Sequence, residues 1–231
     1  SGTDAALFEI FDGDLYLLAG ASLDFEANGT LDVTVSVDDA AIPGSPDDSA
    51  SLQIAVTDVN EAPVLTVTSP GVSVAENGTA VAAGISAADA DAGDTLTYSV
   101  EGTDAALFDI VSTTGVLSFK AAPNFEAPSD NGGDNVYDIT VKVTDSAGAS
   151  DSKAVAVTVT DVNEAPSVAL SGTTTSLAED ADTTSRTKVA DIDVTDDALG
   201  TETLSLSGTD AALFEIFDGD LYLLAGASLD F

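Results

Sequence analysis

The clearest pattern in the sequence is a strict alternation of apolar and polar residues over short runs. Three runs show it best, with apolar residues at Leu52, Ile54 and Val56, at Tyr137, Ile139, Val141 and Val143, and at Val155, Val157 and Val159. A period of two residues is typical of a β-strand with one buried face. No stretch has a helical period, so the pattern predicts an all-β protein.

Between residues 64 and 166 the pattern predicts seven short strands separated by turns that contain Gly, Asp or Pro. They cover a split first strand at 64–68 and 72–75, and then 80–87, 95–100, 107–111, 116–120, 136–144 and 152–160. The one long connection is an acidic loop at residues 121–135, rich in Pro and Gly. Short strands with turns every ~8–12 residues predict an antiparallel β-sandwich.

A six-residue motif, Asp-Val-Asn-Glu-Ala-Pro, occurs at residues 58–63 and again at 161–166, 103 residues later. Each copy follows an alternating run and ends in proline, which cannot donate to a sheet and favours an extended conformation in the residue before it. We interpret the motif as a strand exit that becomes a stiff, acidic connector between domains.

Internal repeats set the predicted domain boundaries. Residues 1–25 are identical to residues 207–231, and residues 102–110 match residues 208–216 except that Asp109 replaces Glu215. With the connectors, this predicts a leading segment (1–63, the C-terminal portion of a repeat), a complete central repeat (64–166) and a trailing segment (167–231, the N-terminal portion of a repeat). We expect the chain to be a slice of a longer tandem array; the alternative is that separate chains complete one another.

The charge balance is extreme, with 41 acidic and 5 basic residues and a formal net charge of −36. Nucleic acid and anionic membrane surfaces are excluded as partners, because both require a basic surface. The absence of Cys and His excludes a thiol nucleophile and a Ser-His-Asp triad. No apolar run is long enough to insert into a membrane. Two explanations of the acidity stay open: a solvated acidic surface, and carboxylates that bind calcium.

Five acidic motifs follow one another in the central repeat. They are Ala75-Glu76-Asn77, Asp89-Ala90-Asp91, Asn124-Phe125-Glu126, Asp145 and the connector 161–166. Their order and spacing resemble the calcium motifs of the cadherin repeat, and more closely the tandem cadherin-like repeats of large bacterial surface proteins. The resemblance implies a linear array of Ig-like, Greek-key, seven-stranded sandwiches on the outside of a bacterial cell, with Ca²⁺ bound between neighbouring repeats.

Carried over residue by residue, the resemblance implies two calcium sites. The first acidic junction comprises Asp24, Glu26, Asp58, Asn60, Glu61, Asp89, Asp91 and Asp145. The second acidic junction comprises Glu76, Glu126, Asp161, Asn163, Glu164 and Asp196. The second departs from the family pattern, with Asn124 in place of an acid and Asp196-Asp197-Ala198 in place of Asp-x-Asp. We therefore expect fewer or weaker ions there.

Three classes of function remain to be compared. The first is a calcium-stiffened extender whose partners are neighbouring repeats and other copies in a fibre. The second is a calcium-dependent module that binds polysaccharide or another copy through its sandwich faces or the loop 121–135. The alternating pattern places Tyr16, Tyr98, Tyr137 and Tyr222 in cores, which leaves few exposed aromatic residues for a glycan. The third is an enzyme, which we do not predict, because no aromatic-lined cleft accompanies the abundant acids.

Overall fold

The computed structural model describes residues 1–229, and these residues form an all-β protein, as predicted. The last two residues of the trailing segment lie outside the described residues. Short 3-10 turns occur at the three copies of the Ala-Ala-Leu sequence, at Ala5–Leu7, Ala105–Leu107 and Ala211–Leu213. Within residues 1–229, no helix has the length and apolarity needed to cross a membrane.

The chain divides into two compact units. The first unit contains Ser1–Val74, Gly78–Pro123 and Ser129–Thr158. The second unit contains Ala75–Asn77, Asn124–Pro128 and the residues from Val159 onward. The first unit therefore holds the leading segment together with most of the central repeat. The boundaries of the three sequence repeats remain a prediction.

The central repeat contains nine of the strands. They are β5 (Val64–Val67), β6 (Gly71–Ala75), β7 (Ala80–Val81), β8 (Ile85–Ala88), β9 (Thr97–Glu101), β10 (Phe108–Ile110), β11 (Leu117–Phe119), β12 (Val136–Thr144) and β13 (Ser150–Thr160). One sheet has the order β6-β13-β12-β9, a second the order β10-β11-β7, and β5 pairs with β8. Antiparallel pairs join β10 to β11, β11 to β7, β12 to β13, β12 to β9 and β5 to β8.

The core of the central repeat lies under β12, where the alternation predicted it. Tyr137, Ile139, Val141 and Val143 are all buried. Tyr137 closes an aromatic cluster with Phe108 and Phe119, whose ring centroids lie 4.3 Å from each other and 6.1 and 5.1 Å from that of Tyr137. Edge-to-face contacts of this kind add to the stabilisation from burial.

The predicted strand 80–87 is wrong in one respect, because the chain forms two short strands there. β7 pairs with β11, whereas β8 pairs with β5 in another sheet. Gly84 lies between them with φ +65°, a conformation that side chains disfavour. The chain therefore changes sheets at this glycine.

The leading segment contains four strands, β1 (Phe8–Phe11), β2 (Asp14–Leu17), β3 (Thr30–Val37) and β4 (Asp48–Ala55). They form two separate two-stranded sheets, β1-β2 and β3-β4. The prediction that Tyr16 lies in a core is wrong: its side chain is exposed, edge-on to the exposed ring of Phe11 at 6.5 Å. The reason is that β2 pairs only with β1 among the described strands.

The trailing segment contains β14 (Ser167–Ser171), β15 (Thr187–Thr195), β16 (Phe214–Phe217) and β17 (Asp220–Leu223). They form one sheet with the order β14-β15-β17-β16. Two basic residues, Arg186 just before β15 and Lys188 within it, contact the hairpin β16-β17. Arg186 lies 3.7 Å above the ring of Phe217, and Lys188 forms an ion pair with Asp220.

The acidic loop 121–135 is anchored to the sandwich by carboxylates. Asp130 is buried and accepts hydrogen bonds from amides of the loop itself. Asp104 is also buried, and it accepts from the amides of Asn131, 2.8 Å away, and Asp138, 2.7 Å away. These two acids therefore fix the loop through backbone contacts.

One carboxylate, Asp151 on β13, gives a prediction about acid stability. It accepts a hydrogen bond from the amide of Leu65 at 3.0 Å. This bond, followed by that from Ser152, lowers the pKa of Asp151 below its usual 3.8. A lowered pKa means that the ionised carboxylate stabilises the fold above pH ~4 and that this contribution is lost as the pH falls through the folded-state pKa.

We expect Asp151→Ala to lower the free energy of unfolding by about 1–2 kcal/mol at pH 7. The difference from the unmodified protein should shrink below pH ~4, because the unmodified protein then loses the same contribution. Urea unfolding at pH 7 and below pH ~4, followed by circular dichroism, measures this difference in the free energy of unfolding. Asp109→Ala, at an exposed position of β10, is the matched control. An undiminished difference at low pH would contradict the assignment.

Candidate metal centres at the two connectors

The first acidic junction brings together acids from three separate parts of the first unit. Glu26 follows β2, Asp58 and Glu61 lie in the connector after β4, and Asp91 lies in the turn after β8. Each offers a carboxylate oxygen within 4.8 Å of the others. Four negative charges this close repel one another unless a cation neutralises them.

A second group shares one residue with the first. Asp89, Asp91 and Asp94 also place carboxylate oxygens within 4.8 Å of one another, so Asp91 belongs to both groups. The sequence prediction did not include Asp94. The spacing Asp-Ala-Asp-Ala-Gly-Asp could have indicated this residue, because it places three acids on one tight turn.

Orphaned oxygens test whether these residues fit a cation. Asp89 Oδ2, Asp91 Oδ1 and Asp94 Oδ2 are buried, and none has a hydrogen-bond partner among the described residues. Buried carboxylate oxygens normally have a partner, because burial without one is costly. Calcium binds six to eight oxygens, preferably from carboxylates, carbonyls and water. The donor set therefore fits calcium.

The remaining residues predicted for the first junction lie beside the two groups. Asp24 lines an open pocket of about 480 Å³ with Glu26 and Glu61, and it accepts the amide of Ala27. Asp24 and Asp145 are in neither group of close acids. Asn60 donates to Asp145 at 2.9 Å and to the carbonyl of Glu61 at 2.8 Å.

Asp145 is buried, and both of its oxygens are already engaged. Oδ2 accepts from Asn60, and Oδ1 accepts from the amides of Gly148 and Ala149. The Asn60 hydrogen bond is the largest of the effects that lower the pKa of Asp145. The residue thus holds the connector against the turn after β12.

The electrostatics of Glu61 indicate that the carboxylates of the first junction repel one another. Its amide donates to Asp91 Oδ2 at 2.9 Å, which brings the two carboxylates together. Partial desolvation raises the pKa of the exposed Glu61 most, and the nearby charges of Glu26, Asp91, Asp58 and Asp24 raise it further. Without a cation, this glutamate takes up a proton more readily than an ordinary one.

The second acidic junction lies within the second unit and repeats the arrangement. Glu76, Glu126, Asp161 and Glu164 place carboxylate oxygens within 4.8 Å of one another. Glu76 is buried and accepts from the amides of Phe125 and Val162, at 2.8 and 2.9 Å. The Phe125 bond contributes most to the lowered pKa of Glu76.

Two other acids of this group, Asp161 and Glu164, have raised pKa values. Burial is the largest cause for Asp161, followed by the charges of Asp197 and Glu76. Burial also dominates for Glu164, which accepts a hydrogen bond from Asn77 at 2.8 Å. Asp161 Oδ1 is buried without a hydrogen-bond partner among the described residues. The second junction therefore also fits a cation.

The structure gives Asp197 the position that Asp91 has in the first junction. Asp197 Oδ2 accepts the amide of Glu164 at 2.8 Å, as Asp91 accepts that of Glu61. The predicted Asp196 lies instead beside Glu202, whose hydrogen bond is the first cause of its raised pKa. Asp196 is outside the group of four close acids.

Asn163 matches Asn60, since it donates to the carbonyl of Glu164 at 3.0 Å. The sequence prediction did not include Asp197 or Glu202. The spacing in residues 196–202 carries no signal that would have favoured either one.

Comparison with known proteins supports the resemblance to cadherin-like repeats. Residues 60–158 match the family model "Bacterial Ig domain". No curated protein matches the sequence. Three solved structures are similar to this chain. "PcdhgB3 EC1-4" is 26% identical with a TM-score of 0.58, and the match covers 96% of this chain and 55% of that one. Protocadherin gamma B7 extracellular cadherin domains 1-4 are 25% identical with a TM-score of 0.53 (97% and 56% covered), and the protocadherin gammaB4 extracellular domain is 23% identical with a TM-score of 0.58 (96% and 36% covered).

The chain thus spans 36 to 56% of the length of these three structures. The match confirms the prediction of a cadherin-like, Ig-like all-β fold. Domains of this family and fold are structural and adhesion modules and not enzymes, in agreement with the predicted class.

Proposed function

Because the chain carries a bacterial Ig-like repeat with the fold of cadherin extracellular domains, we propose that it is a calcium-stiffened extender of an extracellular bacterial adhesin or surface fibre. The observation that carries the proposal is the convergence of acids at each connector, with buried oxygens that have no hydrogen-bond partner. Calcium would fix each connector to the sandwich residues around it.

In the first junction, two overlapping groups of acids would hold calcium. Glu26, Asp58 and Glu61 would bind an ion on one side of Asp91, and Asp89 with Asp94 would bind on the other. Asn60 would position the connector through Asp145, and Asp24 would add charge from the adjoining pocket. An ion shared through one carboxylate ties the end of the leading segment to the central repeat.

In the second junction, Glu76, Glu126, Asp161 and Glu164 would hold calcium, with Asp197 beside them. No second group of three close acids accompanies these four among residues 1–229. We therefore propose that this junction binds fewer ions, or binds them more weakly, than the first.

The proposed mechanism is a change in stiffness. Without calcium the carboxylates of each junction repel one another, and the connectors are free to bend. With calcium the repulsion is neutralised and neighbouring repeats are fixed. Because a ligand that binds only the folded state stabilises it, calcium also raises the free energy of unfolding. This behaviour suits the extracellular side of a cell, with neighbouring repeats and other fibre copies as partners.

The test is small-angle scattering and thermal melting in calcium and in chelator. We expect a longer maximum dimension and a higher melting temperature in calcium. Magnesium at equal concentration is one control, since it requires a stricter octahedral geometry. Sodium chloride at equal ionic strength is the other, since salt screens the net charge of −36 without binding the junctions. Unchanged length and melting in calcium would refute the proposal.

A second candidate function is a module that binds polysaccharide. The observation that favours it is the exposed aromatic pair Phe11 and Tyr16 on the hairpin β1-β2. Exposed rings of this kind stack on sugars. A glycan array probed in calcium with the full chain and with Phe11→Ala is the test. Binding that the substitution abolishes would support this function, and an array without binding would remove it.

A further inference from the structure

Asparagine followed by glycine occurs three times in this chain, at Asn28-Gly29, Asn77-Gly78 and Asn131-Gly132. In such a pair the backbone nitrogen of the glycine can attack the side-chain carbonyl of the asparagine. Glycine permits the attack because it has no Cβ to block the approach and adopts a wide range of backbone conformations. The three sites share this reactive sequence, so the surroundings of each asparagine determine which of them reacts in the folded protein.

Asn28 is held at both ends of its side chain. Its Nδ2 donates to Asp4 Oδ1 at 2.8 Å, and its Oδ1 accepts the amide of Thr30 at 3.3 Å. Its own amide donates to the carbonyl of Asp24 at 2.9 Å. The side chain must give up its two bonds before it can react, and a bond to a carboxylate is among the stronger hydrogen bonds in proteins.

Asn77 is held in a similar way, in the turn after β6. Its Nδ2 donates to Glu164 Oε1 at 2.8 Å, and its backbone has a φ of +62°. The residue before it is fixed as well, because the amide of Glu76 donates to the carbonyl of Thr160 at 3.0 Å. A reaction at Asn77 therefore requires both the loss of a charged hydrogen bond and the movement of an anchored turn.

Asn131 differs from both of these residues. It is exposed, and it lies in the acidic loop 121–135, within a run of bends outside the regular strands. Among residues 1–229, no hydrogen bond holds its side chain, and none holds the amide of Gly132, which is the attacking nitrogen. Gly133 follows, with a φ of +66°. Both reacting groups are thus free, and the backbone around them can rearrange without breaking a sheet.

We propose that Asn131 is a site of spontaneous deamidation, and that the reaction releases residues 131–135 from the sandwich. The Gly132 nitrogen forms a bond to Cγ of Asn131, the bond between Cγ and Nδ2 breaks, and ammonia leaves with the proton of the Gly132 amide. Water then opens the resulting succinimide ring. Opening at the former side-chain carbonyl gives aspartate, and opening at the backbone carbonyl gives isoaspartate. The modification lies outside the calcium junctions and goes beyond the proposed function.

Isoaspartate lengthens the main chain by one carbon at a point that is anchored on both sides. Asp104 accepts the amide of Asn131 at 2.8 Å, and Asp130 accepts the amides of Asp134 and Asn135 at 3.1 and 3.0 Å. Both accepting carboxylates belong to buried residues, which fixes their positions. The longer chain therefore cannot keep both sets of bonds in their present geometry.

Both products also add a negative charge to an acidic part of the molecule. A Cβ on Gly132 would lie 3.1 Å from Asp134 Oδ1 and 3.2 Å from Asp130 Oδ2, so two carboxylates already flank this position. A third, that of Asp104, accepts the amide of residue 131 itself. The loop 121–135 contains no Lys or Arg. The new carboxylate is therefore repelled by its neighbours, which favours release of the loop.

The three sites can be compared in one incubation of the full chain at mildly alkaline pH, followed by peptide mapping with mass spectrometry. Each conversion replaces NH₂ by OH, and chromatography separates isoaspartate from aspartate. We expect Asn131 to convert about tenfold or more faster than Asn28 or Asn77, because a hydrogen bond to a charged group shifts an equilibrium by about this factor. The Asn131 rate should be the same in calcium and in chelator.

Unfolding the chain in urea is the control for local sequence. There the three sites should convert at rates within about threefold of one another, because the folded surroundings are lost. Asn131→Gln is the matched variant, since glutamine must close a larger ring, and it should remove the fast conversion. In the aged chain, hydrogen exchange should show a loss of protection at residues 131–135 and unchanged protection in β12.

Three results would each overturn the proposal. One is an Asn131 conversion no faster than that of Asn77 in the folded chain. Another is a rate ratio that persists in urea, which would assign the difference to local sequence. The last is unchanged hydrogen-exchange protection of residues 131–135 after conversion, which would show that the anchors at Asp104 and Asp130 tolerate the modified chain.

Discussion

Asp91→Asn is expected to weaken calcium binding at the first junction by more than the ~10–100-fold that is typical when a residue behind a metal ligand is changed. Asp91 contributes to both groups of close acids, one with Glu26, Asp58 and Glu61 and the other with Asp89 and Asp94. Its loss removes a charged oxygen from each. Isothermal titration with calcium at constant ionic strength measures the effect.

The same substitution is expected to have the opposite effect on stability in chelator. Removal of one negative charge relieves repulsion with Glu61, while the asparagine oxygen still accepts the Glu61 amide hydrogen bond. The variant should therefore melt at or above the temperature of the unmodified protein in chelator, and below it in saturating calcium. This crossover separates a metal ligand from a residue that merely supports the fold.

Asp109→Asn is the matched control for both measurements. It removes the same charge from an exposed position on β10, away from either junction. Its calcium affinity should stay within about twofold of the unmodified value. Equal calcium affinities for Asp91→Asn and Asp109→Asn would show that Asp91 is not a ligand, and the assignment of the first junction would then fail.

The fold could be predicted from the sequence where the pattern within a single strand determines which of its side chains are buried. The alternation at residues 136–144 identifies β12 and its buried face, because a period of two can only place those side chains on one side. The break at Gly84 could not be predicted in the same way. Whether a strand continues or changes sheets depends on β5 and β11, which are distant in sequence.

The candidate metal sites could likewise be predicted only in part from the sequence. The structure brings close together acids that the motif order assigns to one junction, such as Glu61 with Asp91 and Glu76 with Glu164. The motif order does not distinguish Asp196 from Asp197. Adjacent residues differ in direction, and the path of the loop 196–202 decides which one meets the connector.

The exposure of Tyr16 could not be predicted from any pattern in the local sequence. It has the same neighbours in sequence as Tyr222, yet Tyr16 is exposed and Tyr222 is half-buried. The difference arises because β17 lies against β15 and β2 does not. Local sequence determines the hairpin, and only the partner strand determines its burial.

The same principle yields a prediction about the core. Phe108→Ala is expected to lower the free energy of unfolding by about 3–5 kcal/mol, the usual cost of removing a buried aromatic side chain. Phe108 is buried against Phe119 and Tyr137, so the substitution leaves a cavity that these rings cannot fill without losing contacts. Because domains are typically stable by only ~5–15 kcal/mol, the loss is a large fraction of the total.

Phe8→Ala is the matched control, because Phe8 occupies the same position of the same Ala-Ala-Leu-Phe sequence in the leading segment. Phe8 is only half-buried in its two-stranded sheet, so we expect less than half the loss seen for Phe108→Ala. Urea unfolding of both variants followed by circular dichroism compares them. Equal losses would mean that the leading hairpin is packed in solution as tightly as the central core.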